Sequence, residues 1–80
     1  MTRLTVRGAA TPELLLRIIN ILHQRDIEMR SVEARFTEDE CTVTADINSD
    51  GINAFDVLVE RMRGLVLVGS VAVQHEHIVA

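Results

Sequence analysis

The spacing of apolar residues changes repeatedly along this chain of 80 residues, and this succession limits the folds that the chain can adopt. Apolar residues alternate with polar ones over residues 3–8, which is typical of a strand with one buried face. They then recur every three or four positions over residues 12–25, which is typical of an amphipathic helix. The later segments are predicted strands at 27–36 and 41–47, a helix at 52–63 and a strand at 65–73. The predicted order is therefore β-α-β-β-α-β.

The first predicted helix begins with favourable capping residues. Thr11 can accept hydrogen bonds from free amides, Pro12 suits the first helical position, and Glu13 favours the positive end of the helix dipole. The face predicted to be buried consists of Leu15, Ile18, Ile19 and Leu22, widened by Leu14, Leu16 and Ile21. The corresponding face of the second helix consists of Ile52, Phe55, Leu58 or Val59, and Met62.

The second and third strands are predicted to form a hairpin around the polar turn at residues 37–40. In the second strand the parity of the apolar residues switches near Arg30 and Ser31, which indicates a bulge or an edge strand of altered register. Gly69 marks a possible bulge or turn in the last strand. We expect a single domain over residues 1–74 and a C-terminal tail over residues 75–80.

Composition excludes several classes of function. Twelve acidic against eight basic residues give a formal net charge of −4, which argues against a general nucleic-acid binder. All eight basic residues are Arg, so no lysine chemistry is possible. A lone cysteine, Cys41, cannot form an intrachain disulfide, and the chain lacks an 18-residue apolar run and a signal-peptide core. We therefore expect a cytoplasmic protein without membrane contact.

No constellation of catalytic or metal-ligating residues stands out along the chain. His75 and His77 lie on one side of an extended segment, but no further ligands stand at metal-site spacing. The acidic residues before Cys41 raise rather than lower the pKa of a thiol, which argues against a reactive nucleophile. The sequence predicts no catalytic residue, no metal site and no cofactor bound by this chain.

The order of elements predicts an α+β fold of the ferredoxin-like type, in which a four-stranded antiparallel sheet carries two helices on one face. Several classes of protein with this fold can be excluded. The predicted central strands carry no aromatic residue on which RNA bases could stack. The loop at residues 8–11 has neither the cysteine pair of a copper chaperone nor the glycines of an acylphosphatase-like anion loop. The four cysteines of an iron–sulfur protein are also missing.

The remaining resemblance is to the ACT domain, a small regulatory module that often binds amino acids. It rests on Leu4-Thr5-Val6-Arg7, the helix start at Pro12, and the segments Ile18-Ile19-Asn20-Ile21-Leu22-His23-Gln24-Arg25-Asp26-Ile27 and Leu58-Val59-Glu60-Arg61-Met62-Arg63-Gly64-Leu65-Val66-Leu67-Val68. Within this family the chain looks like the small regulatory subunit of acetolactate synthase (acetohydroxyacid synthase), and most like the short isozyme II type.

The resemblance implies a ligand site at the first helix start, but this chain departs from the valine-sensing pattern. Sensing subunits carry Asn-x-x-Gly where this chain has Ala10 and Glu13, and an Asn early in the second strand where it has Glu28. Because Glu13 places a negative charge where a carboxylate would dock, we expect weak or no valine feedback. The ligand-binding residues, if the site is retained, are Gly8, Ala9, Ala10, Thr11, Glu13, Leu14 and Glu28.

The resemblance also implies partners. The chain would bind and activate the catalytic large subunit of acetolactate synthase, where thiamine diphosphate, FAD and magnesium would sit. We expect a homodimer through ACT–ACT contacts, with an interface at Met29, Arg30, Ser31, Val32 and Glu33. The alternative is a free-standing ACT domain that senses an amino acid effector and regulates another enzyme. A small enzyme is poorly supported, because the sequence shows no acid–base pair.

Overall fold

The computed structural model describes residues 2–48 and 55–75, and it has the predicted order of elements. The elements are β1 (Thr2–Gly8), α1 (Pro12–Gln24), β2 (Met29–Phe36), β3 (Cys41–Ile47), α2 (Phe55–Arg63) and β4 (Val68–His75). All pairings in the sheet are antiparallel, and the strand order is β2-β3-β1-β4. The predicted ferredoxin-like fold is confirmed.

The two central strands bury one face and leave the other open. Leu4 and Val6 of β1 and Val43 and Ile47 of β3 are fully buried, because they point toward the helices. The residues between them point to the opposite face, where most side chains are polar. The alternation in the sequence therefore identified the core face of both strands correctly.

The helix α1 buries a different face from the one predicted. Its buried residues are Leu14, Ile18, Ile21 and Leu22, while Leu15 and Ile19 are only partly buried and Leu16 is 65% exposed. The contact face is turned because α1 packs against α2 as well as against β3. Leu14 and Ile21 are therefore more completely buried than Leu15 and Ile19.

The C-terminus of α1 ends in a tight backbone turn. Asp26 adopts a positive φ of 53°. Its N–H donates to the carbonyl oxygen of His23 at 3.0 Å, and the N–H of Ile27 donates to the carbonyl oxygen of Leu22 at 3.1 Å. This pair of bonds is the Schellman arrangement, which satisfies carbonyl groups at the helix end. The turn directs the chain into β2 at the far end of the sheet.

Both edge strands carry the irregularities that the sequence indicated. The register of β2 against β3 shifts between Met29 and Ser31, so Arg30 is the extra residue of a bulge. Arg7 faces Ser70 and Gly8 faces Val68, so Gly69 is the extra residue in β4. The strand β4 begins at Val68, three residues later than predicted, and extends to His75, two residues beyond the predicted end.

The second helix buries Leu58, Val59 and Met62, as its pattern predicted. It begins at Phe55, and the predicted start at Ile52 lies outside the described residues. The expected tail also lies outside them, apart from His75, so the division into a domain at 1–74 and a tail at 75–80 stays a prediction. None of the helices formed by residues 2–48 and 55–75 is long and apolar enough to cross a membrane.

Candidate functional site

The predicted ligand loop, residues 8–13, lies at the end of the sheet where β1 leads into α1. Thr11 is the N-cap of α1, and its side-chain oxygen accepts a hydrogen bond from the N–H of Glu13 at 3.3 Å. The N–H of Leu14 donates to the carbonyl oxygen of Thr11 at 3.1 Å. Two amides at the helix start are therefore already satisfied, which leaves fewer donors for a ligand carboxylate.

Glu13 is turned along the helix toward Arg17. Its Oε1 lies 3.0 Å from Nη2 of Arg17, and both side chains are more than half exposed. This ion pair places a carboxylate beside the helix start, as the sequence predicted. Leu14, in contrast, is fully buried in the core and does not reach the surface of the loop.

The loop that joins α2 to β4 closes against the ligand loop. The N–H of Ala9 donates to the carbonyl oxygen of Leu67 at 2.8 Å. A Cβ added to Gly8 would fall far inside van der Waals contact with the same oxygen. The glycine at position 8 therefore permits a close approach of two backbones, which is a structural reason for glycine independent of any ligand.

A cavity of about 380 Å³ lies between the start of α1 and the α2–β4 loop. Its lining consists of Glu13, Arg17, Gly64, Leu65, Val66 and Leu67. Glu13 and Arg17 supply charges of opposite sign, and the loop supplies aliphatic side chains, including Val66, which is fully exposed. Sequence reasoning missed residues 64–67, although an uncharged aliphatic run after a helix-ending glycine was the available signal.

Glu28 lies at the opposite end of the sheet from the ligand loop. Met29 pairs with Ile47 and Ile47 with Thr2, whereas Gly8 pairs with Cys41 six residues along β1. Six residues of strand span about 20 Å. The Glu28 carboxylate accepts a bond from Nδ2 of Asn48 at 3.4 Å. One copy of the chain therefore does not bring Glu28 to Gly8–Glu13.

The predicted interface residues lie on β2, which is an edge strand. Met29 and Val32 point toward the helix layer and are partly buried, while Arg30, Ser31 and Glu33 are exposed. Ala34, which also points inward, is partly buried. Inward-pointing residues of β3 are covered almost completely, whereas apolar residues of both edge strands, including Val73 of β4, are only partly buried.

A polar cluster ties three strands together on the open face of the sheet. The carboxylate of Asp46 accepts bonds from Nε and Nη2 of Arg3 at 2.8 and 3.2 Å, and from the hydroxyl of Ser31 at 3.0 Å. The bonds from Arg3 hold the pKa of the Asp46 carboxyl below its ordinary value, with a further contribution from Ser31, while partial burial acts in the opposite direction. Ser31 is thereby held in place at the β2 bulge.

Cys41 is fully buried at the start of β3, where it pairs with Phe36. Burial raises the pKa of its thiol, because the thiolate would lose hydration. The described residues also do not group three or more His, Cys, Asp or Glu side chains as a metal site would.

The strand order and the two helices define a ferredoxin-like fold. Two structures of one ACT domain and one structure of another protein are among the solved structures that are similar to the chain. The ACT domain of GTP pyrophosphokinase from Chlorobium tepidum matches as a crystal structure with a TM-score of 0.77 and 14% identity, covering 91% of this chain and 95% of that one. Its solution structure matches with a TM-score of 0.71 and 17% identity, covering 96% of this chain and 92% of that one.

The third structure is the C-terminal domain of the MgtC protein from Mycobacterium tuberculosis. It matches with a TM-score of 0.74 and 19% identity, covering 91% of this chain and 83% of that one. No protein-family model and no curated protein matches the sequence. At these identities the likeness concerns the fold, so function has to be argued from the residues.

Proposed function

We propose that this chain is a non-catalytic regulatory subunit of ACT type that binds and activates the catalytic subunit of acetolactate synthase in branched-chain amino acid biosynthesis. The ACT-like fold and the sequence resemblance support this proposal, and the resemblance extends over most of the chain. Thiamine diphosphate, FAD and magnesium belong to the catalytic partner. The chain contributes binding free energy and no chemical step, and it works in the cytoplasm.

The observation that carries the proposal is the incomplete apolar layer along β2. Met29, Val32 and Ala34 are only partly buried, and Phe36 is 50% exposed, although all four belong to the inward-pointing set of this strand. An edge strand with exposed apolar side chains gains stability from contact with another polypeptide. This feature suits a protein that acts by association, and we propose that it is covered in an ACT–ACT dimer.

Activation follows from differential binding. A subunit that binds the active conformation of its partner more tightly shifts the population toward that conformation. A tenfold activation requires a difference of only about 1.4 kcal/mol in binding free energy. A small domain with a few exposed apolar side chains can supply this amount.

The geometry of the ligand loop supports weak or absent valine feedback. The N–H of Glu13 is already bonded to Thr11, and the carboxylate of Glu13 stands at the helix start, where it would repel a ligand carboxylate. Glu28 also places a carboxylate where sensing subunits carry an Asn. The site therefore lacks the features through which sensing subunits hold valine.

Reconstitution tests this function. The chain is added to a purified acetolactate synthase catalytic subunit from an isozyme II type enzyme, and the rate is measured with and without valine. We expect a rate increase of at least severalfold that saturates with added chain and is insensitive to millimolar valine. Heat-denatured chain serves as the control, and an unchanged rate at saturating chain contradicts the proposal.

The cavity beside Glu13 and Arg17 favours a second candidate, a free-standing domain that senses an amino acid. Its charges of both signs and its aliphatic wall match an amino acid with an apolar side chain. Thermal shift measurements with the twenty amino acids distinguish the two functions, because a ligand that binds the native state raises Tm by an amount that increases with its concentration. A rise in Tm with one amino acid, together with an unchanged synthase rate, favours the free-standing sensor.

A further inference from the structure

The strand β4 is paired on one side only. In the described part of the chain its one strand partner is β1, and the register between them is regular from Arg7–Ser70 to Thr2–His75. The extra residue Gly69 lies before this stretch and does not interrupt it. The other side of β4 is therefore an open edge, which offers backbone groups to a further strand.

Hydrogen bonds at the two ends of β3 establish which backbone groups face which strand. The N–H of Thr37 donates to the carbonyl oxygen of Glu40 at 2.9 Å, and the N–H of Asn48 donates to the carbonyl oxygen of Glu28 at 3.0 Å. Hydrogen-bonded and non-hydrogen-bonded pairs alternate along an antiparallel ladder. The even-numbered residues of β3 therefore direct their backbone groups to β2, and its odd-numbered residues direct theirs to β1.

The same alternation continues across β1 to β4. Even-numbered residues of β1 pair with the odd-numbered residues of β3, so odd-numbered residues of β1 direct their backbone groups to β4. The N–H of Ala9, which donates to the carbonyl oxygen of Leu67 at 2.8 Å, agrees with this assignment. The β4 residues bonded to β1 are consequently Ser70, Ala72 and Gln74. Val71 and Val73 direct their N–H and C=O groups to the open edge.

The open edge of β4 carries no charge. Residues 64–74 form the longest stretch of the chain without Arg, Asp, Glu or His. The exposed residues of β4 in this stretch are small or neutral, namely Gly69, Ser70, Ala72 and Gln74. Edge strands are usually protected against added strands by charged residues or proline, and β2 carries Glu33 and Arg35. The edge of β4 lacks this protection, which favours a function in strand addition.

The symmetry of the proposed dimer limits what can cover this edge. An ACT–ACT dimer that uses β2 leaves one β4 edge at each end of the assembly, because β2 and β4 are the opposite edges of the sheet. If further copies paired along β4, every dimer would bind two more, and the assembly would grow without closing. A closed complex therefore requires a different polypeptide at β4.

We propose that an extended segment of the catalytic subunit pairs with the open edge of β4 as an additional strand, held by the backbone N–H and C=O groups of Val71 and Val73. The segment is uncharged where it faces Ser70, Ala72 and Gln74, because a charge there would lose hydration without gaining an opposite charge. This inference rests on the proposed function, since it names the surface through which the chain binds its catalytic partner.

Hydrogen exchange tests the pairing directly. The isotopically labelled chain is placed in heavy water alone and with a saturating amount of the catalytic subunit of an isozyme II type enzyme, and the exchange is quenched and read by NMR. In the chain alone, we expect the N–H groups of Val71 and Val73 to exchange much faster than those of Ser70 and Ala72. In the complex, we expect the exchange of Val71 and Val73 to slow by at least about a hundredfold.

Proline substitutions test the same groups by their effect on binding. Val73→Pro removes an N–H of the open edge and leaves the bonds to β1, so we expect its Tm to lie within about 5 °C of that of Val73→Ala. We expect Val73→Pro to raise the Kd for the catalytic subunit at least about tenfold above that of Val73→Ala, its matched control. Ala72→Pro removes an N–H bonded to β1, and we expect it to lower the Tm by more than about 10 °C.

Substitutions of Ala72 by other side chains give a test without proline, because this side chain is exposed. We expect Ala72→Glu and Ala72→Lys each to raise the Kd about tenfold, since either charge would lose hydration beside the added strand. Ala72→Gln, which has the length of glutamate without its charge, should stay within about threefold of the unsubstituted chain. Weakening by only one sign of charge would indicate a contact with a charged group and contradict the proposed pairing.

Exchange at Val71 and Val73 that is unchanged in the saturated complex overturns this inference, as does a Val73→Pro variant that binds as tightly as Val73→Ala. Protection that rises with the concentration of the chain alone also overturns it, because a second copy then covers the edge. Binding through β4 without a change in the synthase rate contradicts the proposed activation and leaves the edge contact standing. Activation by a complex in which β4 exchanges freely does the reverse, and a chain that does not bind the catalytic subunit contradicts both.

Discussion

The backbones of Gly8 and Leu67 are in direct contact, because the N–H of Ala9 donates to the carbonyl oxygen of Leu67 at 2.8 Å and draws the two loops together. This contact joins the end of β1 to the start of β4, almost sixty residues later in the chain. Leu67 also lines the cavity at the start of α1.

The contact predicts that Gly8→Ala is strongly destabilising. The added methyl group would overlap the Leu67 carbonyl oxygen, which belongs to the backbone and cannot swing aside. Overpacking of this kind costs about 2–3 kcal/mol of unfolding free energy. Gly64→Ala is the matched control, because its Cβ would lie 3.5 Å from the nearest oxygen, that of Arg61. Urea unfolding at pH 7 should show a change of less than about 0.5 kcal/mol for this control.

Asp26→Gly is expected to stabilise the protein. Asp26 adopts φ of 53° at the end of α1, a conformation that is unfavourable for a residue with a Cβ and accessible to glycine. We expect the unfolding free energy to rise by about 0.5–1 kcal/mol, since the bonds to His23 and Leu22 remain. Asp26→Ala, which keeps a Cβ, should not stabilise. An equal gain with alanine would show that the backbone conformation is not the cause.

The Arg3–Asp46–Ser31 cluster predicts a pH-dependent contribution to stability. The pKa of Asp46 is lowered from its ordinary value of 3.8, so its carboxylate stabilises the folded state above that pH and loses this effect as the pH falls through the lowered value. We expect Asp46→Asn to lower the unfolding free energy at pH 7 by about 0.5–1 kcal/mol, since Arg3 is partly exposed. The difference from the unsubstituted chain should shrink as the pH falls below 3.8. A constant difference between pH 7 and pH 2.5 would contradict this assignment.

Cys41 is expected to react slowly with thiol reagents. Its side chain is fully buried and its pKa is raised, so both access and the thiolate fraction are low. We expect labelling by a disulfide reagent at pH 7.5 to be at least about a hundred times slower in the native chain than in 6 M urea, because it requires an opening of the β3 end. Rapid native labelling would show that the Phe36–Cys41 end of the hairpin opens readily.

Much of the candidate site could be predicted from local sequence. The capping role of Thr11 and the position of Glu13 at the helix start follow from residue preferences over a few positions. The cavity could not be predicted, because its second wall is the α2–β4 loop, and only the sheet brings residues 64–67 to Glu13 and Arg17. The separation of Glu28 from Gly8 also depends on strand pairing. Glu28 precedes the end of β2 that lies beside Thr2, whereas Gly8 is at the other end of β1.

The sequence by itself determined the order of elements, the hairpin and the positions of the irregularities in both edge strands, because each depends on the period of neighbouring residues or on turn and parity signals. Tertiary structure decided which face of α1 is buried, since the helix has to contact α2 as well as the sheet, and it favoured Leu14 and Ile21 over Leu15 and Ile19. It also decided that Gly8 meets Leu67 and that the apolar layer is incomplete along β2. These features depend on contacts between residues distant in the chain, and local periodicity carries no information about them.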